Sequence, residues 1–121
     1  MTAPPPWFMK FILSLSEREN FSQKLPLLIA ATGKSREYVS RLFMSITGTT
    51  LLHYVQAKRV DHACRLLRST EQEIIDISLE CGFENLSTFY HVFKRYTGEA
   101  PKQYRERFRE SEKHYSLEEN A

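Results

Sequence analysis

Apolar residues recur along this chain at the 3.6-residue spacing of helices, and no stretch alternates as a strand would. Val39, Leu42, Phe43 and Ile46 fall at i, i+3, i+4 and i+7, a single stripe. Phe89, Val92, Phe93 and Tyr96 repeat that stripe fifty residues later. The spacing predicts one helix between Ser35 and Gly48 and another between Asn85 and Gly98. Ser35 and Asn85 are suitable N-caps, because a short polar side chain can accept from the unbonded N–H groups of a first helical turn. Glycine closes both helices because it enters the left-handed region without a Cβ clash.

The remaining elements follow from the same cues. Residues 7–15 are apolar enough for a packed first helix. Pro26 suits the first turn of a second, over 27–32, since a missing N–H costs nothing there. Thr49 or Thr50 starts a long helix to about Arg68, with Leu51, Val55, Val60, Ala63, Cys64 and Leu67 as its buried stripe. Thr70 and Glu73 have the T-x-x-E spacing of a capping box for a helix over 74–81. Pro101 opens a last helix that should run through Phe108. The predicted fold class is all-α: seven helices, arranged as two helix-turn-helix subdomains joined by a long linker helix, homeodomain-like. The divisions are a Pro-stiffened linker remnant (1–7), a first subdomain (8–48), the connecting helix (49–69), a second subdomain (70–110) and a charged, frayed tail (111–121).

The two stripes belong to a longer repeat, GKSREYVSRLFMSITGTTLLHY and GFENLSTFYHVFKRYTGEAPKQY. Ser35/Asn85, Val39/Phe89, Phe43/Phe93, Gly48/Gly98 and Tyr54/Tyr104 are all fifty apart, whereas Gly33 and Gly82 are forty-nine apart. Two turn-then-helix units in one short chain fit a ligand that is itself repetitive, and duplex DNA is the obvious one. In a helix-turn-helix the second helix enters the major groove. With the stripes facing inward, the groove-facing positions are Arg36, Glu37, Ser40 and Arg41 in the first unit. In the second they are Leu86, Ser87, Tyr90 and His91. Arg41 can donate twice to guanine O6 and N7, and Glu37 can accept from cytosine N4. Glu37 equally suits a first helical turn for its effect on the helix dipole, and Leu86 equally suits a local core. Lys34, Ser35, Thr88, Lys94, Arg95 and Lys102 sit at helix ends or flanks, where phosphate contact is the natural role. A connecting helix of some nineteen residues spans about 28 Å, close to the roughly 34 Å between successive major-groove faces.

Charge sharpens the picture more than its total of +2 suggests. Lys34, Arg36, Arg41, Lys58, Arg59, Arg65 and Arg68 face only Glu37 and Asp61 in their segment. Glu71, Glu73, Asp76, Glu80 and Glu84 then follow without a basic residue, before Lys94, Arg95, Lys102, Arg105, Arg107 and Arg109. Such polarity fits nucleic acid on one surface and a second partner on another. Cys64 and Cys81 have no motif spacing and read as small core positions in a reducing cytoplasm. No segment has the pattern of a membrane span or a signal peptide.

Residues 74–105, IIDISLECGFENLSTFYHVFKRYTGEAPKQYR, carry D-I-S-x-x-C-G-F, then F-x-x-x-F-K-R-x-x-G, then P-x-x-Y-R. As a set these resemble the signature of the AraC/XylS family of bacterial transcription regulators. The unit from Leu25 to Gly48 is similar to that family's more variable first helix-turn-helix, so the resemblance covers about 25–108. It implies a DNA-binding domain acting on double-stranded DNA in the bacterial cytoplasm, commonly as an activator that contacts RNA polymerase. It implies base contacts at Glu37, Ser40 and Arg41, and at Leu86, Ser87, Tyr90 and His91. Many members have a separate effector-binding domain, which a chain of this length is expected to lack. Two positions depart from the pattern. Leu51 stands where the second unit has Pro101, and Tyr90–His91 replaces the smaller-residue–Arg pair of some members.

Other chemistries find little footing. His62 and Cys64 are two apart on a helix and point to different faces, and His53 and Cys81 have no partner at ligand spacing, so no metal site is expected. No nucleophile–base pairing and no Gly-rich phosphate loop is present, so neither catalysis nor a cofactor is expected. The alternative function class is a helical protein-interaction module that contacts RNA polymerase or another partner through the acidic 71–84 face, with DNA binding secondary.

Overall fold

The computed structural model describes the backbone of residues 3–119, with side chains through Lys113. The described residues are helical, in eight elements: α1 (Pro6–Ser14), α2 (Arg18–Phe21), α3 (Leu25–Ala30), α4 (Arg36–Thr47), α5 (Leu51–Ser69), α6 (Ile74–Glu80), α7 (Leu86–Thr97) and α8 (Pro101–Glu119). The element beyond the seven expected is α2, a single turn in which the Glu17 carbonyl accepts from the N–H groups of Asn20 and Phe21. Phe21 is buried there, and Asn20 Nδ2 donates to the Ser14 carbonyl at 3.0 Å. Four residues are too few to show a helical period. At the other end, α8 continues through Glu119, past the expected stop near Phe108. The expected tail therefore has helical backbone over 111–119, while Asn120 and Ala121 lie outside the described residues.

The chain forms two compact units, Met1–Arg59 and Val60–Ala121, and the division falls inside α5. The first unit gathers Phe8, Phe11, Leu15, Phe21, Leu28, Val39, Phe43, Leu51 and Val55 into one core. The second gathers Val60, Ala63, Leu67, Ile77, Cys81, Phe83, Phe89, Val92 and Phe93. The connecting helix thus supplies both cores, its first half to one and its second half to the other. Burying a Phe side chain is worth about 1.5–3 kcal/mol, so the aromatic-rich cores are the main source of stability in each unit. Phe43 meets the Tyr54 ring edge-on at 5.3 Å, and Phe93 meets the Tyr104 ring edge-on at 5.6 Å.

The internal repeat is structural down to its hydrogen bonds. Ser35 Oγ accepts from Tyr38 N at 3.2 Å and Asn85 Oδ1 from Thr88 N at 2.8 Å. Gly48 and Gly98 take φ of 77° and 87°, and their N–H groups donate to the carbonyls of Met44 and Lys94. One matched pair escaped the sequence alignment: the hydroxyls of Thr47 and Thr97 donate four residues back, to Phe43 and Phe93, and hold the residue beyond each glycine. Each helix therefore stops at a set point and hands the chain to the next helix in the same way.

Three sequence expectations need correction. Ile46 and Tyr96 are each 40% exposed rather than buried, because the aromatic rings that cover Phe43 and Phe93 come from Tyr54 and Tyr104 on the following helices. Thr70 and Glu73 do not form a capping box. The Thr70 hydroxyl donates back to the Leu66 carbonyl and its oxygen accepts from Gln72 N, closing α5, while Glu73 is itself the residue before α6 and makes no side-chain cap. The helix starts at Ile74, as expected, and a start nearer Thr70 is blocked because the intervening carbonyls are engaged elsewhere: Thr70 and Gln72 accept from Arg105. The second predicted helix is α3, two residues earlier at both ends than its apolar pattern suggested, with Pro26 in the first turn as expected.

Candidate nucleic-acid interface

α4 is held to its unit by Val39 and Phe43, both fully buried. Its 3.6-residue period then turns Arg36, Glu37, Ser40 and Arg41 outward, and all four are exposed. α7 repeats this arrangement around Phe89, Val92 and Phe93. Leu86, Ser87 and His91 are exposed, whereas Tyr90 is half-buried and packs against the second core with its ring 6.2 Å from Phe89. Tyr90 is thus shared between core and surface, and only its outer edge remains for a ligand. Ser87, Thr88, Tyr90, His91 and Lys94 line one open groove of about 530 Å³ along α7.

The flanking cations surround these faces. Lys34 is exposed just before α4, with its Nζ 5.6 Å from the centre of the Trp7 ring, a contact that positions the ammonium without neutralising it. Ser35 uses its oxygen as the α4 cap, which leaves the hydroxyl hydrogen for an acceptor. Thr88, Lys94, Arg95 and Lys102 are exposed in the second unit. Among the described residues, Arg36, Arg41, Lys94, Arg95 and Lys102 enter no ion pair.

The structure separates these free cations from a second set that sequence counting had merged with them. Arg59 is buried, and donates through Nε to the Phe21 carbonyl at 2.7 Å and through a terminal nitrogen to the Gln23 carbonyl at 2.6 Å. Arg105 donates to the carbonyls of Leu67, Thr70 and Gln72. Arg109 meets Glu71 and Arg107 meets Glu99, each at 2.7 Å. Arg68 donates to the Tyr104 hydroxyl at 2.6 Å. Three of these guanidiniums, Arg59, Arg105 and Arg109, satisfy carbonyls at helix ends and in the turns beyond them, while Arg68 and Arg107 meet side chains. Burial, then the neighbouring Arg109, pulls the Arg105 pKa below its ordinary value. Burial pushes both the Cys64 thiol and the Tyr104 hydroxyl up. A signal that could have exposed two of this second set is positional: Arg59 and Arg109 are fifty apart, continuing the repeat's offset past its quoted ends.

Among the described residues no group of three or more His, Cys, Asp or Glu could hold a metal, and no helix is long and apolar enough to cross a membrane. The surfaces that remain are two exposed helix faces with polar and guanidinium donors, flanked by unpaired cations, which suits base edges and phosphates.

Comparison with known proteins agrees with that chemistry. A family model described as a helix-turn-helix domain matches residues 28–107. The melibiose operon regulatory protein of Escherichia coli (strain K12) is 35% identical over 89 residues, 72% of this chain and 30% of that protein. The HTH-type transcriptional activator RhaR of Yersinia pseudotuberculosis serotype O:1b (strain IP 31758) is 43% identical over 70 residues, 58% of this chain and 24% of that protein. The chain therefore spans less than a third of the length of either relative. Among solved structures, the DNA-binding domain of AdpA, a global transcriptional factor crystallised with a target DNA, superposes with a TM-score of 0.76 at 26% identity, covering 89% of this chain and 96% of that one.

Proposed function

The chain belongs to the AraC/XylS family of transcription regulators as a helix-turn-helix DNA-binding domain, and from that premise we propose how its two units divide the work on DNA. Sequence-specific binding to double-stranded DNA for transcription regulation is its function. In the proposed division, α4 reads bases through Arg41, Arg36, Glu37 and Ser40. α7 occupies an adjacent major-groove segment, with Ser87 and His91 toward base edges and the outer edges of Leu86 and Tyr90 against apolar groups such as thymine methyls. Lys34, Ser35, Thr88, Lys94, Arg95 and Lys102 hold phosphates. The observation that carries this division is the contrast in free guanidinium groups. Arg36 and Arg41 are exposed and unpaired on the outer face of α4, while the corresponding part of α7 has none. A guanidinium can bond one guanine twice, worth about 1–3 kcal/mol of discrimination.

The same reading implies a bacterial cytoplasmic setting and a polymerase contact during activation. What supports the polymerase contact is a run of exposed acids in the second unit, Glu73, Asp76 and Glu84, with Ile75 and Leu79 of the same segment 50% and 57% exposed.

Selection from a random duplex library at near-physiological salt tests the division. Enrichment of two boxes about one helical turn apart, the α4 box being the more sharply defined, is the expected result. A single sharp box lost in Ser87→Ala/His91→Ala but kept in Arg41→Ala would reverse the assignment.

A further inference from the structure

α3, α4 and α5 enclose a half-open cleft of about 430 Å³ in the first unit, within the roughly 300–1,000 Å³ of small-ligand sites. Its walls are apolar: Leu25 and Ile29 come from α3, Leu51 and Leu52 from α5. Three polar side chains share it, Arg36 and Ser40 of α4 and Thr50 before α5. Arg36 has no acidic partner among the described residues. Thr50 Oγ1 accepts from His53 N at 3.1 Å, which leaves its hydroxyl hydrogen to donate. The cleft thus combines hydrocarbon walls with a guanidinium and two hydroxyls, and among the described residues no Asp or Glu lines it. A cation would be repelled by Arg36, and a neutral apolar molecule would gain nothing from the guanidinium's charge. An anion with an apolar tail satisfies both parts, and a carboxylate matches the two parallel N–H groups of the fork. The cavity beside α6 differs in kind: Glu71, Glu73 and Glu106 line it with Lys102 and Arg105.

We propose that this cleft binds a small apolar monocarboxylate, with its carboxylate on Arg36, Ser40 and Thr50 and its tail between α3 and α5. Arg36 and Ser40 also belong to the base-reading face proposed above, and on that reading occupancy competes with DNA at the first unit.

Octanoate is the probe and octanol its uncharged control, each titrated into the whole chain without DNA and followed by backbone amide NMR. Saturable shifts at α3 and at the starts of α4 and α5 are expected. Octanol should bind about tenfold more weakly or worse, the usual cost of losing a charged hydrogen-bond partner. Arg36→Gln, at an exposed position, should erase the preference for octanoate. Ala30→Trp, at a cleft residue outside the proposed DNA contacts, should block both probes while the protein still binds duplex. Absence of saturable shifts, equal binding of the two probes, or an undiminished preference in Arg36→Gln would overturn the site. With DNA added, saturating octanoate should weaken specific binding by the unsubstituted chain but not by Ala30→Trp. Octanoate bound with DNA affinity unchanged would overturn the competition. Failure of the DNA reading itself shows separately, as no sequence-selective binding without octanoate.

Discussion

α4 and α7 are alike at both ends and different between them. Each starts at a side chain that accepts from the N–H three residues on, and each ends at a left-handed glycine beside a threonine bonded four residues back. Between those ends α4 exposes Arg36, Glu37, Ser40 and Arg41, while α7 exposes Leu86, Ser87 and His91 and half-buries Tyr90. Positive charge returns in α7 only in its last turn, at Lys94 and Arg95. The shared features orient a helix, and the features that differ determine what that helix can recognise. Two copies of one scaffold can therefore present unequal surfaces, one with free guanidinium groups and the other with smaller polar and apolar groups.

The largest expected effects test the shared scaffold. Phe43→Ala and Phe93→Ala each remove a fully buried ring and should destabilise by about 3–5 kcal/mol, read by chemical denaturation. A loss under 1 kcal/mol at either site would mean the repeat is not equally packed. Next comes the buried guanidinium. Arg59→Met abolishes bonds to two loop carbonyls and should cost about 1.5–3 kcal/mol, whereas exposed Arg36→Met should leave the denaturation midpoint unchanged. Equal effects would collapse the distinction between structural and free arginines.

The contrast between the two helices is tested by binding. Arg41→Ala should lose about 1–3 kcal/mol on the selected site and little on random duplex, with a smaller specific loss for His91→Ala. Equal losses on both duplexes would remove Arg41 from base reading. The smallest effect is on salt dependence: Lys94→Ala should weaken all duplexes alike and flatten the log–log salt slope by about one unit. An unchanged slope would place Lys94 away from phosphate.

Much of the fold was legible because periodicity and caps are local. The stripes of α4 and α7, their caps at Ser35 and Asn85 and their glycine ends need only neighbours along the chain. The capping box at Thr70 failed because T-x-x-E spacing cannot show that the Thr70 and Gln72 carbonyls are needed by Arg105, more than thirty residues away. Ile46 and Tyr96 failed for a similar reason, since the rings against Phe43 and Phe93 come from the next helix. The candidate contacts were legible as the positions between the stripes, and their exposure follows from the stripes' burial. Tyr90 is the exception, half-buried on a position that periodicity turned outward.

By itself the sequence determined the helical class, the twofold repeat and the signature that marks the family, because each depends on residue types at fixed short spacings. Only the tertiary structure decided which basic residues are free. A guanidinium is the same in any sequence string, and whether it meets a loop carbonyl or solvent depends on segments that folding alone brings within 3 Å of it.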